Sequence, residues 1–121
     1  VAALAGSAGT SFALEPAAYT ADAVKAAQAA GKPVLIHVTA PWCPTCKAQH
    51  QAINTIIAKP EFAEVAVFNV DFDTQEDALA AYKTRPQSTL VAFHDDKETG
   101  RLVGRTKPAA IEALIATSLK K

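Results

Sequence analysis

The chain contains two cysteines, Cys43 and Cys46, with Pro44 and Thr45 between them. A disulfide between residues so close in sequence would close a very short loop and would remove little entropy from the unfolded chain. Stabilisation is therefore a weak explanation for the pair, whereas thiol reactivity or metal ligation accounts for the spacing. We predict that the two sulfurs carry the chemistry of this protein.

The sequence around the pair predicts a strand that leads into a helix. Val34–Thr39 is a nearly continuous apolar run with β-branched residues, which is typical of a buried central strand. From Cys43 to Lys59 the apolar residues recur at helical spacing until Pro60, and Pro44 is compatible with a first helical turn. Cys43 should therefore lie at a helix N-terminus, where unpaired amides and the positive end of the helix dipole favour negative charge.

Cys43 in this position is expected to be the attacking nucleophile. A cysteine at a helix N-terminus can have its pKa lowered from ~8.5 to between ~3.5 and ~7.5, which leaves part of it as thiolate at neutral pH. Cys46 lies one turn further along the same face, so it should be more buried and less ionised. We expect Cys43 to form a mixed disulfide with a partner and Cys46 to resolve it, while Pro44 and Thr45 tune the reactivity.

The remaining pattern predicts strands and helices of a single α/β domain. The expected elements are a helix from Thr20 through Ala30, a buried strand Val65–Val70, a helix opening at Thr74 with Asp77 as a weak capping box, strands Thr89–Phe93 and Arg101–Val103 flanking a polar turn from His94 to Gly100, and a last helix opening at Thr106 and Pro108. The first two strands and the helix between them should form a parallel unit with a right-handed crossover. The hairpin should add antiparallel strands.

Composition narrows the class of protein. The chain has 121 residues, half of them apolar and a fifth charged, which fits one globular domain. Twelve basic residues balance twelve acidic ones, and neither sign gathers into a run. We therefore expect no nucleic-acid partner and no binding to an anionic membrane surface.

The first thirteen residues differ from the rest of the chain. Residues 1–13 are small or apolar and carry no charge, and Ser11-Phe12-Ala13 has the small-x-small form of a signal-peptidase site. They are interpreted as the remnant of an export signal or as a flexible tail, with residues 14–121 as the domain. This interpretation predicts a location outside the cytoplasm.

The octapeptide Ala40-Pro41-Trp42-Cys43-Pro44-Thr45-Cys46-Lys47 resembles the active-site signature of the thioredoxin family. The resemblance extends over roughly residues 15 to 120. It implies a thioredoxin fold, with a mixed four- or five-stranded central sheet flanked by about four helices, and a protein-disulfide oxidoreductase without a bound cofactor. By the same resemblance Trp42 would shield Cys43 and form part of the docking surface.

The stretch from Tyr19 to Lys47 is most similar to exported members of the family, such as the periplasmic thioredoxin-like domain of membrane thiol reductases. This similarity implies protein disulfides and dithiols as substrates, and a membrane or periplasmic thiol donor. We expect a monomer that acts as a reductant.

Ser88 is the largest departure from the family pattern. It stands where thioredoxins carry a cis-proline beside the cysteines, and the nearest proline, Pro86, lies two residues earlier. A cis bond before a residue other than proline costs ~2.5 to 4 kcal/mol, so we expect a trans bond before Ser88. Because the family proline also keeps metal away from the thiols, the alternative function is metal or iron-sulfur binding through Cys43 and Cys46.

Two histidines have open roles. His37 occupies the position of a buried acid found in many family members, so it is either a proton acceptor for Cys46 or a core histidine with one hydrogen bond. His50 follows Cys46 by four residues and offers a third possible zinc ligand, but no second cysteine pair completes such a site. We therefore predict no resident metal in the leading hypothesis.

Overall fold

The computed structural model describes residues 15–119, which are organised around a mixed sheet of five strands. The strands in chain order are β1 (Ala17–Ala18), β2 (Val34–Thr39), β3 (Ala66–Asp71), β4 (Thr89–His94) and β5 (Lys97–Val103). Their order across the sheet is β1-β3-β2-β4-β5. The pairs β1/β3 and β3/β2 are parallel, whereas β2/β4 and β4/β5 are antiparallel.

Four α-helices cover the two faces of the sheet. They are α1 (Ala21–Ala29), α2 (Pro44–Ile57), α3 (Glu76–Ala81) and α4 (Pro108–Thr117), and a single 3₁₀ turn, Pro60–Phe62, follows α2. Helices α2 and α4 share one apolar cluster with the sheet, and α1 and α3 contribute to the cluster on the other face. The fold class implied by the resemblance, a thioredoxin fold with four or five strands and about four helices, is confirmed.

Strand β2 is central and is buried on both faces. Val34, Ile36 and Val38 pack into the cluster under α1, whereas Leu35 packs into the cluster under α2. Because side chains alternate along a strand, His37 points to the same face as Leu35, towards α2. The strand ends at the cysteine motif, so the sheet positions the motif at one edge of its α2 face.

The predicted helices and strands are present. The structure differs from the prediction in three places. The expected turn from His94 to Gly100 is mostly strand, because β5 begins at Lys97 and only Asp95 and Asp96 separate the two strands. An edge strand that faces solvent tolerates polar residues. The polarity of the residues from Lys97 onward therefore did not distinguish a strand from a loop. The bulge between Ala92 and Phe93 also shifts the register.

The other two differences concern capping and an edge strand. Helix α3 begins after Gln75 with no side-chain cap, so the capping box expected at Thr74 is wrong. The side chain of Gln75 instead accepts a hydrogen bond from the amide of Asp71 at 2.9 Å. The two-residue strand β1 carries no sequence pattern of its own and exists through its pairing with β3. By contrast, the cap expected at Thr20 is confirmed, since its hydroxyl accepts from the amide of Ala23 at 3.0 Å.

The interpretation of residues 1–13 as an export remnant or tail lies outside the described residues. Within 15–119, no helix combines the length and apolar character needed to cross a bilayer.

Candidate active site

Cys43 caps the N-terminus of α2. Its backbone is extended, with φ −99° and ψ 108°, and its sulfur accepts a hydrogen bond from the amide of Cys46 at 3.1 Å. Pro44 occupies the first helical position, where its missing N–H leaves no hydrogen bond unmade. The predicted placement of Cys43 at a helix N-terminus is therefore confirmed, and its sulfur pairs an amide that has no partner within the helix.

Cys43 and Cys46 are joined in a disulfide, and their Cα atoms lie 5.3 Å apart. Cys46 has no exposed surface, and Cys43 is 4% exposed. The expected order of burial is thus correct, but the margin is small. Only Cys43 keeps exposed surface, so the opening to the disulfide lies on its side.

Ser88 lies directly against the disulfide. Its Oγ is 3.2 Å from the sulfur of Cys43 and 3.1 Å from the sulfur of Cys46. The described residues contain no cis peptide bond, so the trans bond expected before Ser88 is confirmed. The residue adopts a left-handed backbone with φ +63°, and its amide donates to the carbonyl oxygen of Val38 at 2.8 Å.

His37 is fully buried behind the motif. Its Nε2 lies 2.9 Å from Oε1 of Gln49. Burial is the main cause that lowers its pKa from 6.5 to about 4, the nearby His50 lowers it further, and the hydrogen bond to Gln49 opposes the shift. His37 is therefore neutral at pH 7.

The amide of Gln49 fixes the tautomer of this neutral imidazole. Its Nε2 donates to the carbonyl oxygens of Ser88 at 3.0 Å and Arg105 at 2.8 Å. Its Oε1 must then accept, so the hydrogen of His37 resides on Nε2. Nδ1 of His37 is left as a buried acceptor without a partner among the described residues.

Gln49 is the site residue that sequence reasoning missed. It is fully buried and connects His37, Ser88 and the loop at Arg105. A signal existed, because Gln49 lies three residues after Cys46 and four before Ile53, on the apolar face of the helix. A long amide at such a position needs several hydrogen-bond partners and indicates a buried polar network.

Trp42 lies on the exposed side of the motif. Its ring is 57% exposed, packs edge-on against Phe72, and donates from Nε1 to Asp73 at 2.9 Å. Pro44 is exposed and Thr45 is half-buried. Trp42 and Pro44, the two neighbours of Cys43 in the chain, are therefore exposed, whereas Cys43 itself is buried.

A cleft of about 580 Å³ adjoins Cys43 on the side of β3. Its charged and titratable lining side chains are Lys47, His50 and Asp71. His50 lies 3.0 Å from the hydroxyl of Thr39 and edge-on to His37, with ring centroids 4.5 Å apart. Partial burial lowers the pKa of His50.

Metal ligands do not gather at this site. Across residues 15–119, no group of three or more His, Cys, Asp or Glu side chains is arranged to hold a metal ion. Cys43, Cys46 and His50, which the sequence suggested as possible zinc ligands, are not brought together, and the two sulfurs are bonded to each other. The arrangement is suited to disulfide exchange, because a cysteine at a helix N-terminus is paired with a second sulfur in the same turn.

Comparison with known proteins agrees with this chemistry. Residues 13–117 match the thioredoxin family model. The crystal structure of Trxlp from Edwardsiella tarda EIB202 superposes with a TM-score of 0.80 at 38% identity, covering 84% of this chain and 98% of that one. A "Thioredoxin H-type" from Fagopyrum esculentum is 32% identical over 81 residues, or 67% of this chain and 68% of that protein.

A more distant relative has a different name. The "Thiol:disulfide interchange protein DsbE" of Pasteurella multocida is 32% identical over 73 residues, which cover 60% of this chain and 38% of that protein. The family match, the shared fold and the joined cysteine pair lead to one conclusion: the chain belongs to the thioredoxin family and is a thiol-disulfide oxidoreductase.

Proposed function

We propose that this protein reduces disulfides of protein substrates outside the cytoplasm, with Cys43 as the nucleophile and Cys46 as the resolving thiol. The observation that carries the proposal is the hydrogen bond from the amide of Cys46 to the sulfur of Cys43 at the start of α2. In the reduced protein the same amide and the helix dipole would stabilise a thiolate on Cys43. Cys46 has no exposed surface, which suits a thiol that reacts only within the chain.

The reaction proceeds in two exchanges. The thiolate of Cys43 attacks one sulfur of the substrate disulfide, the substrate S–S bond breaks, and the leaving thiolate takes a proton. Cys46 then loses its proton and attacks the sulfur of Cys43, which releases the second substrate thiolate to be protonated. Two electrons pass from the dithiol to the substrate, and an external thiol donor must return them to the Cys43–Cys46 disulfide.

The neutral state of His37 bears on the second exchange. An imidazole with a pKa of about 4 holds a proton weakly, so transfer of the Cys46 proton to it is uphill by several pKa units. We therefore propose that His37 acts as a positioning residue through its hydrogen bond to Gln49, not as the proton acceptor. This role resembles the second of the two interpretations made from the sequence.

The docking surface and the partner class follow from the exposed part of the site. Trp42 presents an amphipathic ring beside the opening to Cys43, and such rings are common anchors in protein interfaces. Pro44 and Thr45 border the same opening and would set the approach of the substrate sulfur. We propose that the protein acts as a monomer on one substrate at a time.

Two observations bear on the compartment and on the thiol donor. The uncharged residues 1–13 and the similarity to a protein named for thiol:disulfide interchange support work outside the cytoplasm. The same similarity supports exchange with a membrane or periplasmic thiol donor. Cell fractionation of the protein expressed from its full gene in its native host tests the compartment, and recovery only with cytoplasmic markers would contradict it.

Insulin reduction with single cysteine variants tests the assignment of the two sulfurs. We expect Cys43→Ser to be inactive and to form no mixed disulfide. Cys46→Ser should also fail to turn over, but it should accumulate a substrate adduct on Cys43, visible by mass spectrometry without reductant. If the adduct forms on Cys46 in the Cys43→Ser protein instead, the assigned roles are reversed.

The equilibrium of the pair with glutathione tests the direction. A potential near that of thioredoxin, ~-270 mV, agrees with a reductant, whereas a value near ~-120 mV indicates an oxidant. Alkylation of the reduced protein across pH tests the premise of the proposal. If Cys43 ionises no more readily than free cysteine, whose pKa is ~8.5, the premise that the helix N-terminus stabilises its thiolate is wrong.

A further inference from the structure

The hydroxyl of Ser88 touches both reacting sulfurs. Its oxygen is 3.2 Å from Cys43 Sγ and 3.1 Å from Cys46 Sγ, and the three atoms are buried together. A hydroxyl has one hydrogen to donate, and it rotates freely about its C–O bond. It can therefore donate to either sulfur without any movement of the backbone.

We propose that Ser88 is a catalytic residue whose hydroxyl donates to whichever sulfur carries the negative charge. In the reduced protein it donates to the thiolate of Cys43. When Cys43 is bonded to the substrate, the hydroxyl turns to Cys46 and stabilises the thiolate that forms there before the second exchange. This inference rests on the proposed roles of the two cysteines.

Backbone hydrogen bonds hold Ser88 in this place. Its amide donates to the carbonyl oxygen of Val38 at 2.8 Å, and its own carbonyl oxygen accepts from the amide of Gly104 at 2.9 Å and from Gln49 Nε2 at 3.0 Å. Ser88 is 4% exposed, so water does not compete strongly for the hydroxyl. The donor is thus fixed in position before the substrate arrives, which avoids reorganisation during the reaction.

The backbone at this position excludes proline in the observed conformation. Proline fixes φ near −65° and has no N–H, whereas Ser88 has φ +63° and uses its N–H in the bond to Val38. A proline would also supply no donor to the sulfurs. This chain therefore has a hydrogen-bond donor at a position where the family pattern has none.

A hydrogen bond to the charged form of a thiol lowers the pKa of that thiol. Cys43 then has two donors, the amide of Cys46 and the hydroxyl of Ser88. For Cys46 the hydroxyl of Ser88 matters more, because burial disfavours its thiolate. We expect loss of the hydroxyl to raise the pKa of Cys43 by about one unit, a tenfold drop in thiolate fraction below the pKa.

The test measures the pKa of Cys43 in the reduced protein by the pH dependence of alkylation, with the alkylated cysteine identified by peptide mass spectrometry. The variants are Ser88→Ala and Ser88→Gly, which both remove the hydroxyl but differ in how well they tolerate a positive φ. The matched control is Ser118→Ala, which removes the hydroxyl of another buried serine, at the end of α4, where it donates to the carbonyl oxygen of Ile115 and not to a sulfur. Lys47, His50 and Asp71, which share the cleft beside Cys43, are unchanged in all three.

We expect Ser88→Ala and Ser88→Gly to raise the pKa of Cys43 by similar amounts, and Ser118→Ala to leave it unchanged. Both Ser88 variants should also slow the release of substrate from a preformed mixed disulfide. The proposal is overturned if both Ser88 variants keep the wild-type pKa of Cys43. It is also overturned if the pKa differs between the two variants as much as it differs from the wild type, because backbone strain would then be the cause. A wild-type Cys43 that titrates like free cysteine would instead contradict the proposed function itself.

Discussion

The two halves of helix α2 are stabilised against the same face of the sheet by different forces. The C-terminal half contacts the sheet through aliphatic side chains, Ala52, Ile53, Ile56 and Ile57, in a cluster of apolar residues. The N-terminal half contacts it through Cys46, Gln49 and His50. Cys46 is part of the disulfide, Gln49 hydrogen-bonds to His37 and to two carbonyl oxygens, and His50 packs edge-on against His37.

The difference lies in how each half tolerates imperfect contacts. Apolar burial has no direction, so the aliphatic half gains stability from area and packing. The polar half gains it only where donors and acceptors match, and an unmatched buried group costs free energy. Both buried side-chain atoms without a hydrogen-bond partner among residues 15–119, Nδ1 of His37 and Oδ1 of Asn69, belong to residues paired in register across β2 and β3. His37 lies against the polar half of α2, where it contacts Gln49 and His50.

The site is built at a cost in stability, which the aliphatic half of α2 offsets. The aliphatic half anchors α2, so the polar half can hold groups that a core would exclude. Substitutions in the aliphatic C-terminal half should therefore change the free energy of unfolding alone. Substitutions in the polar N-terminal half should change both stability and thiol chemistry.

The largest loss of stability is expected in the aliphatic half. Ile53→Ala should lower the free energy of unfolding by about 3 to 4 kcal/mol, because Ile53 is 1% exposed and its removal leaves a cavity. Urea denaturation measures this loss, with Ile53→Val as a graded control expected to cost about 1 kcal/mol. The pKa of Cys43 should stay at its wild-type value in both; a shift would mean that the two halves are not independent.

Gln49→Leu should cost less stability but should also alter the chemistry. The substitution keeps similar volume while leaving the carbonyl oxygen of Arg105 and the Nε2–H of His37 without partners, a loss of about 2 to 3 kcal/mol. It also removes one of the bonds that hold Ser88, so the pKa of Cys43 should rise. The control is Gln51→Leu, at an exposed position of the same helix, with an expected change within about 0.5 kcal/mol.

Should Gln49→Leu destabilise the protein without any change in alkylation of Cys43, the polar half would be structural only. Equal effects of Gln49→Leu and Gln51→Leu would contradict the buried network itself.

The pH dependence of stability should report on His37. Its pKa falls from 6.5 to about 4 on folding, so between these values the unfolded chain binds more protons than the folded one. Stability therefore rises with pH across this window, is fully present above pH 6.5, and should be lower by about 2 kcal/mol at pH 5.

Denaturation of the wild type and of His37→Gln at pH 5 and pH 7.5 measures this contribution. The variant cannot titrate at this position and should lose most of the difference, apart from a smaller part due to His50, whose pKa is also lowered. An unchanged difference in His37→Gln would assign the pH dependence to other groups.

The smallest effect on stability is expected at Trp42, an exposed residue just before α2. Trp42→Phe removes the hydrogen bond to Asp73 from a ring that is 57% exposed, so the free energy of unfolding should change by no more than about 0.5 kcal/mol. Trp42→Ala should instead raise KM for insulin several-fold without changing the pKa of Cys43, because it removes docking surface only. Asp73→Asn, which keeps an acceptor for the indole, is the control for KM. A raised pKa of Cys43 in Trp42→Ala would show that the ring also shields the sulfur.

The position of Cys43 at the N-terminus of α2 could be predicted from its immediate neighbours. The apolar run Val34–Thr39 predicts the strand, Pro44 predicts the first helical turn, and the junction between them places the sulfur at a helix N-terminus. Each of these signals acts over a few residues, where backbone sterics and hydrogen bonding are decided locally. The trans bond before Ser88 was predictable for the same reason.

The groups that surround the sulfurs come from distant parts of the chain. Ser88 is 45 residues from Cys43 in sequence, and Gln49 is 56 residues from the carbonyl of Arg105 that it binds. The spacing of apolar residues in the sequence does not predict such contacts, because they depend on how strand β4 pairs with β2 and on the positive φ of Ser88. The position of Cys43 at a helix N-terminus follows from its neighbours in the chain, because helix ends are set by local interactions. The pairing of distant strands places the hydroxyl of Ser88 against both sulfurs.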